Sequence, residues 1–456
     1  MEWKSRYADK IVSPAEAAKV VRSGDRVVFA MASPWMTCVA MAKALSARAG
    51  ELRDVSIDTS FTLAPYFGLY ETSDSWTTTS IFAYNEIEIG KLSALDPQVG
   101  MVPMNPSFKG QLSGRSFRDE FTARWTGADV CIVMVTPPNK AGFVSFGYNL
   151  WNSRVQMRNA KTVIAEVNPD LPIIPGGDNW MPADAFDYFV ETEPLVLPQL
   201  LAETPEEEVG PTEVCGYYTS ELINDGDCVM FGGGAMPFRL GAYLEEKNDL
   251  GCHTELVVPL DLVRRGIINN SRRNLVPGKV SATGLVAQND EEREWLDGNP
   301  LFDLRDMSTN NDPKYIAQNK NMVAVNAPLE ITLWGEINVE RVGPRYFRGV
   351  GGQMEFIMGA LLAENGRSIH SVISKKRTAA GEWVSTIVPE FTPPGVATVP
   401  RQLIDIVVTE HGVAHLQGKT ERERADALIA IADPDFQPEL RAAAKKAFGL
   451  ETTTFV

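Results

Sequence analysis

Two stretches, one in each half of the chain, read the same way. Val20-Val21-Arg22-Ser23-Gly24-Asp25-Arg26-Val27-Val28-Phe29 and Leu222-Ile223-Asn224-Asp225-Gly226-Asp227-Cys228-Val229-Met230-Phe231 each run from a helix end through Gly-Asp into an apolar strand. A loop of small residues follows each strand. A unit repeated in this way points to two similar domains in tandem. The strands between and after them set the fold class. Asp129 to Val135 and Thr162 to Val167 are continuous apolar runs, the pattern of parallel strands covered on both faces. Val55 to Thr59 and Asp187 to Val190 are further strands in the first half. Asn321 to Val325, Glu330 to Leu333, Ser368 to Ile373 and Leu403 to Val408 are strands in the second. Strands alternating with helices give an α/β fold built of open sheets, whose ligands bind beyond the C-terminal strand ends.

Helix ends are readable too. Ser13-Pro14-Ala15-Glu16 has the pattern of a capping box with proline in the first turn. Residues 1–24 read as a helical lead-in with Ser13 as N-cap, stopped at Ser23-Gly24-Asp25, and further helices are predicted through Ala47, over Val214 to Ile223, through Ala363, and over Glu421 to Ala432. Thr204-Pro205-Glu206-Glu207-Glu208 is polar, acidic and near mid-chain, so it reads as a linker. It divides the chain into domains 1–205 and 206–456.

Charge and cysteine usage exclude several functions. The net charge of −16 argues against a nucleic-acid partner, which needs a basic face. The five cysteines are scattered, without a CxxC pair, as in a protein with reduced thiols. His411 and His415 have i,i+4 spacing, but Gly412 weakens a helix there and no third ligand is evident, so no metal site is expected. No apolar run is long enough for a bilayer, and the charged MEWKSRYADK start lacks the core of a signal peptide. The cytoplasm is the expected location and no membrane is an expected partner.

One carboxylate stands out. Glu255, in Cys252-His253-Thr254-Glu255, precedes the apolar run Leu256-Val257-Val258. It lies between two glycine clusters, Gly232-Gly233-Gly234-Ala235-Met236 and Gly349-Val350-Gly351-Gly352-Gln353. Glycine lets backbone amides approach a ligand, and a carboxylate between two such loops is either a nucleophile or a solvated charge. The first cluster lacks the Lys-Ser/Thr ending of a phosphate-binding loop. The second is only a partial dinucleotide fingerprint, and there is no GxSxG elbow. The loop Thr136 to Phe143, after a strand, is a second candidate ligand loop or a plain turn.

The ordered set GGGAMP, DLGCHTE, NAPLEI, GVGGQMEFIMGA, STIVPEF and VVTEHGVAHLQGKTERERADALIAIADPDF resembles the family I CoA-transferases, in the acetyl-CoA hydrolase/transferase branch that includes 4-hydroxybutyrate and butyrate–acetate CoA-transferases. TPPNKAGFVSFG and VIAEVNPDLPIIPGG extend the likeness through the first half. The resemblance implies two tandem open-sheet α/β domains of the CoA-transferase type, with the catalytic Glu in the second. It implies Glu255 as covalent nucleophile, carrying CoA as a glutamyl thioester in a ping-pong exchange between an acyl-CoA and a small carboxylic acid such as acetate. It implies that Gly351 and Gly352 stabilise the oxyanion, and that Gly232, Gly233, Gly234, Ala235, Met236 and Gln353 line the thioester site, with Glu330 near CoA. No tightly bound cofactor is implied, CoA and acyl-CoA being substrates. A homodimer or larger homo-oligomer is implied on the same ground.

CoA phosphates need local cations on so acidic a chain. Lys375 and Lys376 are the first candidates, then Arg264-Arg265 and Arg272-Arg273. The chain departs from the family in Gly335 to Glu340, Ser385-Thr386 and Thr398 to Arg401, and Ser371 to Ala380 is longer than usual. Bulky Trp35, Met36 and Trp180 either shape an acyl pocket or pack the core. An acyl-CoA hydrolase with the same nucleophile, and a non-catalytic CoA-binding protein, are the alternative readings.

Overall fold

The computed structural model describes residues 2–30, 36–61, 69, 74–82, 100–101, 127–148, 150–192, 205–343, 345–346, 350–378 and 380–447. Trp35, Thr204 and Gly349, named above, lie outside them.

Seven strands form the sheet of the first unit: Arg26–Phe29 (β1), Val55–Phe61 (β2), Trp76–Phe82 (β3), Gly100–Met101 (β4), Val130–Val135 (β5), Thr162–Val167 (β6) and Tyr188–Glu191 (β7). Their order is β4-β3-β2-β1-β5-β6-β7, parallel throughout. All six residues of β5 are buried, as a strand covered on both faces requires. Full burial of a Val or Ile side chain stabilises by about 1.5–3 kcal/mol, so such a strand anchors its sheet.

The second unit repeats the plan. Its sheet contains Cys228–Phe231 (β8), Gly251–Cys252 (β9), Met322–Asn326 (β10), Arg367–Ser371 (β11), Ile406–Thr409 (β12) and Gly412–His415 (β13), in the order β9-β8-β10-β11-β12-β13. Only the β12–β13 pair is antiparallel. In both sheets the first strand lies between the second and a much later one: β2-β1-β5 in one, β9-β8-β10 in the other. The duplication read from the sequence is thus a duplication of strand order, with the chain direction across the sheet reversing at the first strand. Crevices at such reversals are where open α/β sheets hold ligands.

One helix start follows its capping chemistry closely. Pro14–Ala18 (α1) has the full capping box: the Glu16 amide donates to Ser13 Oγ, and the Ser13 amide donates to Glu16 Oε2. Val39–Ser46 (α2) ends at Ala47 as predicted. Ala235–Leu240 (α4) follows the first glycine cluster and Gln353–Leu362 (α5) the second. Phe356 and Ala360 of α5 pack with Met230 and Ala324, while Ile357 joins a cluster with Val407 and Leu428. Glu421–Ala430 (α6) is followed by a further helix, Gln437–Ala447 (α7).

Two expectations are corrected. Residues Glu206–Glu221 form a helix (α3), so the acidic run is its first turn and not a linker. Carboxylates are favoured there by the partial positive charge of a helix N-terminus. Second, the division into units is not contiguous. The first unit is Met1–Ala202 with Ser281–Asp312; the second is Glu203–Val280 with Pro313–Val456. Backbone hydrogen bonds explain the return of Ser281–Asp312: the amides of Leu150 and Trp151 donate to Thr283 O, that of Leu285 to Tyr148 O, and that of Leu304 to Pro175 O. His411 and His415 lie on the β12–β13 hairpin, at the place where Gly412 argued against a helix.

No helix among the described residues is long and apolar enough to cross a membrane.

Candidate active site

The second sheet positions the site. Strand β9 ends at Cys252 and delivers His253, Thr254 and Glu255 at its C-terminal end. Its neighbour β8 ends at Phe231 and delivers the Gly232 to Gly234 loop. Two contacts lock these segments side by side. Thr254 Oγ1 donates to Phe231 O at 3.0 Å, and Phe231 pairs with Val257 in an isolated antiparallel bridge. The apolar run after Glu255 is therefore a crossing segment leading into the helix Leu260–Arg264, not a strand.

Glu255 is half-buried, and its Oε2 accepts a hydrogen bond of 3.2 Å from the Gly352 amide. Gly352 is the N-cap of α5, so the donor sits at the positive end of a ten-residue helix. The turn that aims it needs glycine just before: Gly351 has φ +59°. Gln353, the first residue of α5, is buried, and its Nε2 has no hydrogen-bond partner among the described residues.

The first glycine loop is shaped by close approach. The Gly232 amide donates to Val325 O at 2.8 Å, and a Cβ on Gly232 would lie 2.6 Å from that same oxygen. Gly234 has φ +132°, open in practice only to glycine. Met236 behind it is buried. Beside the loop stands Asn326, the last residue of β10. Its Oδ1 would lie 3.1 Å from a Cβ on Gly232, and its buried Nδ2 has no partner among the described residues. Asn326 was overlooked in the sequence. The signal was a polar residue closing an apolar strand in Val323-Ala324-Val325-Asn326.

The remaining candidates are more dispersed. Glu330 is buried, with Oε1 accepting from Thr392 Oγ1 at 2.6 Å and Oε2 from Asn338 Nδ2 at 3.2 Å. Lys375 and Lys376 lie on the strand Lys375–Arg377, paired with Trp383–Ser385. Lys375 Nζ is 2.9 Å from Asp433 and 3.4 Å from Asp435, and stands over the Trp383 ring. Hydrogen bonding to Asp433 raises its pKa above the usual lysine value. Of the arginine pairs, Arg265 is paired with Glu245 and Asp261, and Arg272 with Asp249. Arg273 is 4% exposed and bonded inward, so it is not a surface cation for phosphate. In the first unit Met36 is buried and Trp180 half-buried in a strand paired with Phe143–Ser145. The Thr136 to Phe143 loop is a turn closed by Asn139, whose Oδ1 accepts from the Ala141 and Phe143 amides.

Known proteins resemble the chain over nearly its whole length. The chain matches the acetyl-CoA hydrolase/transferase N-terminal domain over residues 1–200 and the C-terminal domain of the same name over residues 291–444. It is 32% identical over 453 residues to 4-hydroxybutyrate coenzyme A transferase of Clostridium kluyveri, covering 98% of this chain and 100% of that one. It is 33% identical over 447 residues to succinyl-CoA:cyclohexane-1-carboxylate CoA transferase of Geobacter metallireducens, covering 97% of each. The crystal structure of RipA from Yersinia pestis superposes with a TM-score of 0.84 at 31% identity, covering 98% of this chain and 100% of that one. Fold and relatives together define the class, that of the CoA-transferases, enzymes whose substrates are CoA thioesters. Within that class, the chain belongs to the acetyl-CoA hydrolase/transferase family.

Proposed function

We propose that the protein moves CoA from an acyl-CoA to a small carboxylic acid, such as acetate, through a glutamyl-CoA thioester on Glu255. The observation that carries this reading is the hydrogen bond from the Gly352 amide to Glu255 Oε2.

The reaction must exchange the acid without losing thioester energy. The Glu255 carboxylate attacks the acyl-CoA carbonyl, the C–S bond breaks, and CoA thiolate leaves behind a mixed anhydride. The thiolate attacks the glutamyl carbonyl carbon of that anhydride, releasing the first acid as its carboxylate and leaving glutamyl-CoA. An acceptor carboxylate attacks this thioester, gives a second anhydride and frees the thiolate. Attack of the thiolate on the acceptor's acyl carbon yields the new acyl-CoA and restores Glu255.

In the two central steps the attacked carbon belongs to Glu255 itself, so negative charge develops on a glutamyl oxygen. That is the oxygen the Gly352 amide addresses. A backbone donor fixed at a helix N-terminus stabilises such charge without reorganising, and gains strength as the charge grows. The steps at the acyl carbon need a donor of their own, and we assign it to the buried amides of Asn326 and Gln353 with the Gly232 to Met236 loop. Lys375 and Lys376 are the proposed cations for the CoA phosphates. Partial burial of Glu255 serves the chemistry twice, since it strips water from a weak nucleophile and keeps water from the anhydride.

The test is turnover of an acyl-CoA by the wild type, Glu255→Gln and Glu255→Ala, with and without acetate. Acetate-dependent acetyl-CoA formation that vanishes in both variants supports the reading. Acetate-independent release of CoA would make the protein a hydrolase, and an active Glu255→Ala would remove Glu255 from the mechanism.

A further inference from the structure

We infer that Asn319 and Arg273 are positioning residues for Glu255, acting through the imidazole of His253. The inference rests on Glu255 as the nucleophile.

The chain of contacts is buried at every link. Arg273 Nε donates to Asn319 Oδ1 at 3.0 Å, and Asn319 Nδ2 meets His253 Nδ1 at 2.8 Å. Arg273 is 4% exposed, and Asn319 and His253 are fully buried. The guanidinium is itself held by backbone, with Nη1 donating to Cys252 O at 3.1 Å and to Lys279 O at 2.7 Å.

Donor inventory then fixes two things that geometry alone leaves open. A guanidinium only donates, so the Asn319 atom facing it is the carbonyl oxygen. The amide nitrogen must therefore face His253, an orientation supported by its second bond, to Ile316 O at 3.1 Å. An NH2 group only donates, so His253 Nδ1 accepts. The ring is neutral and carries its proton on Nε2. A proton on Nδ1 would set two donors against each other in a buried contact, at the cost of an unsatisfied polar pair.

The ring is also a spacer. Its plane meets that of Phe356 nearly at right angles with centroids 5.6 Å apart, and it meets Tyr315 similarly at 5.7 Å. Phe356 lies on α5, and its amide donates to Gly352 O at 3.1 Å. His253 thus stands between the strand end that carries Glu255 and the helix that supplies the Gly352 amide. Seating the ring sets the spacing of carboxylate and donor. Arg273 also grips Cys252, directly before His253, so one side chain holds both the backbone and the imidazole of this turn.

The test uses the full-length enzyme labelled with 15N-histidine, which contains four histidines. The wild-type spectrum should show His253 neutral, with Nε2 protonated and Nδ1 bare. Asn319→Asp keeps the acceptor for Arg273 but turns the donor into a carboxylate, so the proton should move to Nδ1. Its kcat should fall by about 100-fold, the cost of a misplaced reacting group, while KM for acyl-CoA changes little. A merely structural role would lower the melting temperature and leave kcat per folded enzyme intact. A wild-type His253 protonated on Nδ1 overturns the inference, whether or not the variant folds, and so does wild-type kcat in Asn319→Asp. An inactive Glu255→Gln beside an unimpaired Asn319→Asp overturns this inference alone. An active Glu255→Gln overturns the glutamyl mechanism and leaves the tautomer result standing.

Discussion

Glu255 and Gly352 lie 97 residues apart in the chain and meet through one hydrogen bond of 3.2 Å, carboxylate oxygen to backbone amide. Neither residue is unusual in type. What is specific is that a helix start, a strand end and a glycine turn converge to bring a fixed donor onto a half-buried carboxylate.

Gly352→Pro deletes the amide, and Gly352 has φ −87°, near the proline range. The expected loss in kcat is about 10²- to 10³-fold, as for removal of one oxyanion donor, with KM for acyl-CoA less affected. Steady-state kinetics check it, with circular dichroism to show that the fold persists.

Adjacent glycines should behave differently. A Cβ on Gly232 would meet Val325 O at 2.6 Å, whereas one on Gly233 has nothing within 4 Å. Gly232→Ala should destabilise by about 1–3 kcal/mol, the usual cost of forcing an extra group into a packed site. Gly233→Ala should be close to neutral. Denaturant unfolding of the two variants, side by side, decides it.

Much of this frame was legible in the chain. Strand β5 could be read because every residue is apolar, and α1 because Ser13 and Glu16 have capping spacing. The acidic start of α3 was misread because carboxylates suit both linkers and helix first turns. The return of Ser281–Asp312 to the first unit depends on backbone bonds that composition does not encode. The Arg273–Asn319–His253 chain was hidden for a related reason: its links span 46 and 66 residues, and only folding sets them in one line. Arg273 therefore looked like a surface cation until its burial was known.

Stability should decline on the acid side through His370. Burial in β11 pushes its pKa down from 6.5 to about 3. Between those values the unfolded chain binds a proton that the folded chain does not, so stability falls as pH drops below 6.5 and levels off near 3. The slope from this one group is at most about 1.4 kcal/mol per pH unit. Unfolding free energies of wild type and His370→Gln at pH 7 and pH 5 test the sign: the wild type should lose more stability than the variant.

If Lys375 and Lys376 hold CoA phosphates, the double substitution Lys375→Ala/Lys376→Ala should raise KM for acyl-CoA several-fold and leave kcat unchanged. The effect should shrink at high salt, because charges that reach solvent are screened. An unchanged KM at low ionic strength would confine Lys375 to its pairing with Asp433 and Asp435.

The most direct test of the mechanism is to catch the intermediate. The enzyme is mixed with acyl-CoA in the absence of acceptor acid, quenched and digested, and the peptides are weighed by mass spectrometry, with a parallel sample reduced by borohydride. The expected result is CoA in thioester linkage at Glu255, reduced by borohydride and discharged as acetyl-CoA when acetate is added before the quench. Steady turnover with no adduct, or an adduct on any other carboxylate, would contradict it.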